Sequence, residues 1–350
     1  MAVPANQQVG RGSSGWAVVL RRWPSWAPYA AAVWGVAYAA VQLAWVARGI
    51  ALPLGAHHAF PPAVQLVLAG LALLAAGACL AAVRARGRFA RTAAGATLLV
   101  VVPVFVLGTF GAPIEFVSLI GGAGPSGAGL AHLLLDIPGA GLLLVTGLSV
   151  RRRARGRCPR CGQAHAWGSD RPLEHPAPSR ASAKVQVAVY AGMSGILPWA
   201  ITKTIWTLGG DALGMTAEQW RAANADGSGV TKALASVGID FTVLAAMLAW
   251  FLMVGLMYRW GQVFPRWTLF LSGRRVPRLL PLIPAWLTGL TLALYGTGIL
   301  VAFPFFFAGA GGMAWMTAFG GLAFAGLGVG LLVAACSYAA RTRPACGREA

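Results

Sequence analysis

Three ionisable side chains lie inside long apolar stretches of the sequence that otherwise carry no charge. They are Asp136, Lys203 and Asp240. A charged side chain in hydrocarbon costs at least about 2.5–3.5 kcal/mol on insertion scales, and pairing of opposite charges offsets part of that cost. The sequence therefore predicts that the ammonium group lies between the two carboxylates. Gln42 and His132 are expected to extend this polar cluster.

The cluster has either a purely structural explanation, of which there are two, or a function, and both interpretations remain open. A lysine near the end of a membrane span can extend its ammonium group to the lipid headgroups, or the charges can pair for purely structural reasons. If the cluster is functional, one lysine satisfies only one of the two carboxylates. The other carboxylate could then exchange a proton or bind a cation.

A second candidate site is the motif Arg-Cys-Pro-Arg-Cys-Gly at 157–162. Its proline and glycine shape a turn that can present two thiolates to one metal ion, and the motif resembles half of a zinc ribbon. A structural zinc ion takes four ligands. The candidate ligands are Cys158, Cys161, His165, His175 and Cys346. The alternative is a pair of reduced thiols without a metal.

The elements that carry these residues are predicted from hydropathy. The 350-residue chain is 57% hydrophobic and only 11% charged, with a mean hydropathy of +0.67, whereas soluble domains carry about 25% charged residues. A membrane-spanning helix needs about 20 apolar residues. The sequence offers eight such stretches and so predicts an all-α polytopic membrane protein. The predicted spans are 26–47, 62–83, 92–111, 129–149, 185–208, 234–258, 280–303 and 313–338.

The net charge of +19 is distributed unevenly along the chain. If the N-terminus is cytoplasmic, 24 of the 28 basic residues fall in the cytoplasmic tails and connections. This bias is the one that the positive-inside rule produces. The sequence therefore predicts a multi-pass plasma-membrane protein with both termini in the cytoplasm. The basic residues are expected to face anionic lipid, and nucleic acid is not expected as a partner.

An internal repeat relates the two halves of the chain. The segment 29–45 aligns with 190–206 at a constant offset of 161, which pairs Tyr29 with Tyr190 and Trp45 with Trp206. The sequence thus predicts two parallel four-helix repeats, an arrangement found in several transporter folds. A duplicated helical bundle without transport activity is the alternative. The predicted parts are a tail at 1–25, a first repeat at 26–149, a basic linker at 150–184, a second repeat at 185–338 and a tail at 339–350.

Enzyme motifs are largely missing from the sequence. It contains no phosphate-binding P-loop and no His-Glu-x-x-His motif. Gly124-Pro125-Ser126-Gly127 resembles the Gly-x-Ser-Gly motif of rhomboid proteases. The nearest histidine, His132, follows six residues after the serine on the same predicted helix, which points it away from Ser126. A hydrolase is therefore disfavoured.

The overall pattern resembles multi-pass membrane proteins of actinobacteria to which no activity is assigned. The likeness lies in the first span ending at Trp45 and Gly49, its counterpart ending at Trp206, and the basic Cys-x-x-Cys linker. It implies a helical membrane fold and brings no activity. Two hypotheses follow from the residues. One is a carrier of a small solute, coupled to an ion or proton, and the alternative is a non-catalytic module whose zinc-knuckle linker recruits a cytoplasmic protein.

Overall fold

The computed structural model describes residues 22–52, 59–84, 87–113, 115, 119, 127–164, 173–223, 229–306 and 312–346. Within these residues the chain is almost entirely helical. Four helices make up its first part: α1 Trp23–Ala47, α2 Pro62–Arg84, α3 Arg88–Gly108 and α4 Gly127–Ala154. Seven follow in the second part: α5 Ala183–Ser194, α6 Leu197–Thr207, α7 Ala217–Ala223, α8 Gly229–Ser236, α9 Phe241–Met257, α10 Leu279–Phe306 and α11 Gly312–Arg341.

Among the residues that the structure describes, seven helical segments are long and apolar enough to cross a membrane. They are α1, α2, α3 from Phe89, α4, the segment Ala183–Thr207 that comprises α5 and α6, α10, and α11 from Ala314. The predicted all-α polytopic fold is confirmed at this level. Large apolar side chains such as Val33, Phe89 and Leu99 are exposed along these helices, as expected where lipid replaces water.

The sixth predicted span, 234–258, has a different start from the one expected. A separate helix, α8, ends at Ser236, and Gly238 adopts a left-handed φ of +78°. The next helix, α9, begins only at Phe241 and has 17 residues, about 26 Å at 1.5 Å per residue. That length is just short of the hydrocarbon core, about 30 Å. The count of eight spans is therefore not confirmed, and Asp240 precedes a helix instead of lying within one.

The segment Ala183–Thr207 is interrupted at Gly195 and Ile196, between α5 and α6. Pro198 lies in the first turn of α6 and has no amide hydrogen to donate to the preceding turn. The interruption falls about two turns before Lys203, so it sets the direction of the short helix that carries this residue.

The chain folds into two compact units. The first consists of Met1–Val106 with Leu134–Ser169, and the second of Leu107–Leu133 with Asp170–Ala350. This division follows spatial contacts and not sequence similarity, so the predicted repeats at 26–149 and 185–338 stay a prediction.

An aromatic cluster forms the centre of the first unit. Trp34, Tyr38 and Phe105 have ring centroids 5.0–5.2 Å apart, and Phe105 meets the other two rings edge-on. The indole of Trp34 also donates a hydrogen bond to the Leu135 carbonyl at 2.9 Å. Gly139 makes room for this indole, since a Cβ atom there would overlap the Trp34 ring. These contacts join α1, α3 and α4 around Asp136.

Close packing at glycines organises the second unit around α11. A Cβ atom on Gly192 of α5 would lie 2.6 Å from the Gly326 carbonyl oxygen, and one on Gly328 would overlap the backbone at Ala293 of α10. Small residues allow helix backbones in a membrane to approach this closely. The glycine-rich segment 320–330 therefore packs α11 against both α5 and α10, and α11 also contacts α6 and α9.

One short pairing of strands lies beyond the helices in the second unit. β1, Leu173–Glu174, pairs antiparallel with β2, Ala345–Cys346, and places Leu173 opposite Cys346. This pairing holds the end of the chain against the linker that precedes α5.

Replacing Gly328 with alanine tests the close approach of α11 to α10. Because the added Cβ would overlap the Ala293 backbone, we expect Gly328→Ala to lower the free energy of unfolding by about 1–3 kcal/mol. Thermal unfolding in detergent micelles, followed by tryptophan fluorescence, measures the change. Gly298→Ala is the matched control, because nothing lies within 4 Å of a Cβ atom there. Equal stability of the two variants would contradict the packing.

Candidate functional site

The predicted ion pair between Lys203 and Asp240 is present in the second unit. Lys203 Nζ lies 3.5 Å from Asp240 Oδ2, and the two side chains are only 12% and 13% exposed. The same ammonium group donates a hydrogen bond to the Thr242 hydroxyl at 2.7 Å. Within this structure the lysine is therefore held by protein groups.

Asp240 is positioned by its place immediately before α9. Its Oδ1 accepts hydrogen bonds from the amides of Thr242 at 2.8 Å and Val243 at 3.1 Å, and from the Thr242 hydroxyl. An aspartate at this position satisfies amide groups that the first helical turn leaves without partners. The carboxylate thus caps α9 and binds Lys203 with its other oxygen.

Two indole rings complete the surroundings of the lysine. The ring centroids of Trp199 and Trp220 lie 4.6 and 5.0 Å from Lys203 Nζ, within the range of a cation–π interaction. Trp220 of α7 also stacks on Trp206 of α6, with ring centroids 4.9 Å apart. The connection between α6 and α9 therefore folds back so that the Trp220 ring covers the Lys203 ammonium group.

Asp136 belongs to a different polar cluster, in the first unit. Its side chain is 1% exposed and lies close enough to the Tyr38 hydroxyl to interact with it. Gln42 is a further polar neighbour of Tyr38 and lies one turn later on the same face of α1. The cluster therefore joins a carboxyl group on α4 to two polar side chains on α1.

The polar cluster continues onto α2 through hydrogen bonds of Gln65. Gln65 Nε2 donates to Gln42 Oε1 at 3.4 Å and to the Ile50 carbonyl at 3.1 Å. Both glutamines are buried, at 0% and 1% exposure. The side chains of Asp136, Tyr38, Gln42 and Gln65 thus lead from the buried carboxyl to the connection after α1, and we call these four residues the Asp136 network.

The predicted residues are thus found in two settings. Lys203 and Asp240 meet in the second unit, whereas Asp136 and Gln42 join one network in the first. His132 lies one turn before Asp136 on α4 and is half-buried. The expectation that Lys203 lies between both carboxylates stays a prediction, as does a role for His132.

The Cys-x-x-Cys motif forms a compact turn directly after α4. The Cys158 amide donates to the Gln163 carbonyl at 2.9 Å, and the Gly162 amide donates to the Cys158 carbonyl at 2.7 Å. Gly162 has a left-handed φ of +75°, which glycine adopts without steric cost. The Gln163 amide lies 3.4 Å from Cys161 Sγ, so the turn directs a backbone donor at this sulphur.

Three cysteines could hold a metal ion. The sulphur atoms of Cys158, Cys161 and Cys346 lie within 4.8 Å of one another, and the first two residues are buried. Three thiolates are a ligand set that zinc accepts. The chemistry of the donors therefore fits a zinc ion.

Of the two histidines predicted as metal ligands, the structure describes only His175. His165 lies outside the described residues. His175 follows β1 directly and is exposed. Partial burial, and then the positive charges of Arg275 and Arg278, lower the pKa of His175, which favours the neutral imidazole that binds metals. Its role as a ligand stays a prediction.

Sequence reasoning missed the neutral partners of the charged groups. Thr242 follows Asp240 by two residues, a spacing typical of a residue in the first turn after a helix cap, and this signal could have located the start of α9. Tyr38 and Gln65 are polar side chains in apolar spans, and that property alone marks them as candidates. Nothing in the linear sequence places Trp220 over Lys203, because the two residues meet only through the fold of the connection.

Removing Lys203 tests the ion pair. Lys203→Met leaves the mostly buried Asp240 carboxylate without its cation, so we expect the free energy of unfolding to fall by about 3–5 kcal/mol. The double variant Lys203→Met/Asp240→Asn should lose less than the sum of the single losses, because no uncompensated charge remains. Thermal unfolding in micelles gives all three values. Lys232→Met, at an exposed lysine of α8, is the control, and an equal effect of this variant would refute the pairing.

Comparisons with known proteins give no indication of function, so function is argued from the chain's own residues. No protein-family model, no curated protein and no solved structure matches the sequence or the fold. No residue role is therefore transferred from another protein.

Proposed function

We propose that this membrane protein is a carrier that couples the movement of a small solute to a proton or cation, with Asp136 as the ion-binding group. The observation that carries the proposal is the burial of this carboxyl group at the inner end of the Asp136 network. An ionisable residue inside a membrane-spanning helix is costly. Retaining one at 1% exposure is expected where the group performs a task.

The contacts of Asp136 suit reversible proton binding. The Tyr38 hydroxyl can donate a hydrogen bond to the carboxylate and can also accept one from the carboxylic acid. Gln42 and Gln65 each offer an amide donor and a carbonyl acceptor. Together they provide alternating hydrogen-bonding groups between the buried carboxyl and the carbonyl of Ile50, which lies beyond the end of α1.

The Lys203–Asp240 pair supports this choice of ion-binding group. Asp240 already accepts two backbone amides, the Thr242 hydroxyl and the lysine. All of these contacts fix the position of the carboxylate at the start of α9. We therefore assign the pair the role of anchoring the start of α9 to α6, and Asp136 the role of binding the ion.

The proposed topology follows the distribution of charge. We infer eight spans, with α9 as the short one, and both termini in the cytoplasm, because this orientation puts most basic residues on the cytoplasmic side of the plasma membrane. We also infer two parallel repeats from the alignment of 29–45 with 190–206, since related halves are common in carriers.

Proton movement in reconstituted vesicles tests the carrier. Vesicles that contain the protein and an internal pH-sensitive dye are given a potassium diffusion potential with valinomycin. We expect internal acidification or alkalinisation above that of protein-free vesicles, and Asp136→Asn should abolish it because an amide does not take up a proton. Gln65→Leu should slow it by interrupting the network.

Glu218→Gln is the matched control for this measurement. Glu218 is an exposed carboxylate on α7, so its loss should leave the proton flux unchanged. Flux through Asp136→Asn equal to that of the unmodified protein, or no flux above protein-free vesicles, would refute the proposal.

A second candidate function rests on the three cysteines. We propose that Cys158, Cys161 and Cys346 bind one structural zinc ion, with a histidine or a partner's side chain as fourth ligand. A linker ordered in this way could present a cytoplasmic surface that recruits a protein partner.

Metal analysis tests the zinc site. Protein purified without chelators should contain about one zinc ion per chain, and Cys158→Ser/Cys161→Ser should contain none, because a hydroxyl replaces each thiolate ligand. Elemental analysis by mass spectrometry gives the ratio. Cys336→Ser is the control, since Cys336 is exposed on α11 and lies outside the cluster. Zinc retained in the double variant would eliminate this site.

A further inference from the structure

A groove on the second unit combines an apolar floor with a basic mouth. It has a volume of about 690 Å³ and lies along α5 and α11. Val185, Val329, Leu332 and Val333 supply most of its apolar lining, and Arg180, Ser182 and Arg341 lie at one end. From Val329 to Arg341 the helix rises about 18 Å, a length comparable to that of an extended acyl chain.

The basic end of the groove has no acidic counterpart in the neighbouring sequence. Residues 175–202 and 241–346 contain no aspartate or glutamate, although they contain Arg180, Lys184, Arg278, Arg341 and further arginines. The excess of positive charge at this end is therefore not balanced by the helices that form the groove. A ligand that brings negative charge is favoured there.

The two arginines at the mouth have different roles. Arg341 donates to the carbonyls of Ser179 and Leu256 and to the Ser337 hydroxyl, so it holds α11 to its neighbours. Arg180 lies outside any helix and is exposed, with its guanidinium 4.9 Å from the centre of the Tyr258 ring. This contact leaves the charge of Arg180 available to a ligand at the mouth.

The start of α5 adds donors at the same place. Ser182 precedes α5 and makes no side-chain hydrogen bond to the first turn, and it lines the groove. The amides of a first helical turn lack intrahelical acceptors and attract negative charge. The mouth therefore offers an arginine, a hydroxyl and helix amides on one side of an apolar channel.

We propose that this groove binds one molecule of an anionic phospholipid, with its phosphate at Arg180 and Ser182 and one acyl chain along Val185, Val329 and Val333. Charge complementarity selects the anionic headgroup. The apolar floor selects a lipid over a free phosphate ion, since phosphate alone would leave the valines and Leu332 uncovered. The groove lies on α5 and α11, two of the segments able to cross the bilayer, so a membrane lipid has direct access to it.

Native mass spectrometry of the full-length protein, released from detergent with added lipid, tests the site. We expect the protein to retain one phosphatidylglycerol in preference to phosphatidylcholine. Arg180→Gln should weaken phosphatidylglycerol binding about fivefold, the effect of one basic residue at a membrane surface. Cys336→Trp places an indole in the groove at an exposed position, and it should exclude the lipid while leaving thermal stability in phosphatidylcholine micelles unchanged.

Arg274→Gln separates a defined site from a general attraction of charge. Arg274 is an exposed arginine of the connection before α10 and does not line the groove, so its loss should leave lipid retention unchanged. Equal retention of the two lipids, equal effects of Arg180→Gln and Arg274→Gln, or full retention by Cys336→Trp would each overturn the proposal. Displacement of the lipid by millimolar inorganic phosphate would show a phosphate site instead, and would overturn it as well.

Discussion

The free-energy cost of placing a polar side chain in the hydrocarbon of the membrane determines how this chain is organised. A charged or hydrogen-bonding side chain in a membrane span has no water to serve as its partner, so the protein must provide one. The second unit meets this demand with a closed set of contacts, in which Lys203 is surrounded by Asp240, Thr242 and two indole rings. The first unit meets it with the network around Asp136. The two solutions differ chemically, because one contains both signs of charge and the other joins a carboxyl to neutral groups.

This difference is the basis of the proposal that the polar groups of the first unit bind an ion. In the second unit, each charge stabilises the other, and Asp240 also caps a helix. The arrangement fixes where α9 starts and where α7 folds back. In the first unit, the Tyr38 hydroxyl and the glutamine amides can serve as donor or acceptor, so the network can accommodate a carboxyl in either protonation state. A group that can change its state without disrupting its neighbours is suited to carry an ion.

Much of the fold could be predicted from hydropathy because apolar length is a direct requirement of the bilayer. The ends of α2 and α10, for example, fall within three residues of the predicted span boundaries. The start of α9 could not be obtained in this way. Leu234, Val237 and Ile239 extend the apolar stretch of α9 towards the N-terminus, and the left-handed Gly238 and the capping Asp240 separate them from the helix. The pairing of Lys203 with Asp240 could be predicted from charge, whereas the indoles around the lysine depend on a connection whose path no periodicity encodes.

The account depends most on Asp136 being a group that gains and loses a proton inside the protein. Infrared difference spectroscopy between acidic and alkaline samples measures this directly, because a protonated carboxyl has a carbonyl stretch distinct from that of a carboxylate. Because the sequence has nine acidic residues, the spectra of the variants are compared with that of the unmodified protein. We expect one component of the band to be missing in Asp136→Asn and present in Asp240→Asn. An unchanged band in Asp136→Asn, or loss of that same component in Asp240→Asn, would contradict the assignment of ion binding to the first unit.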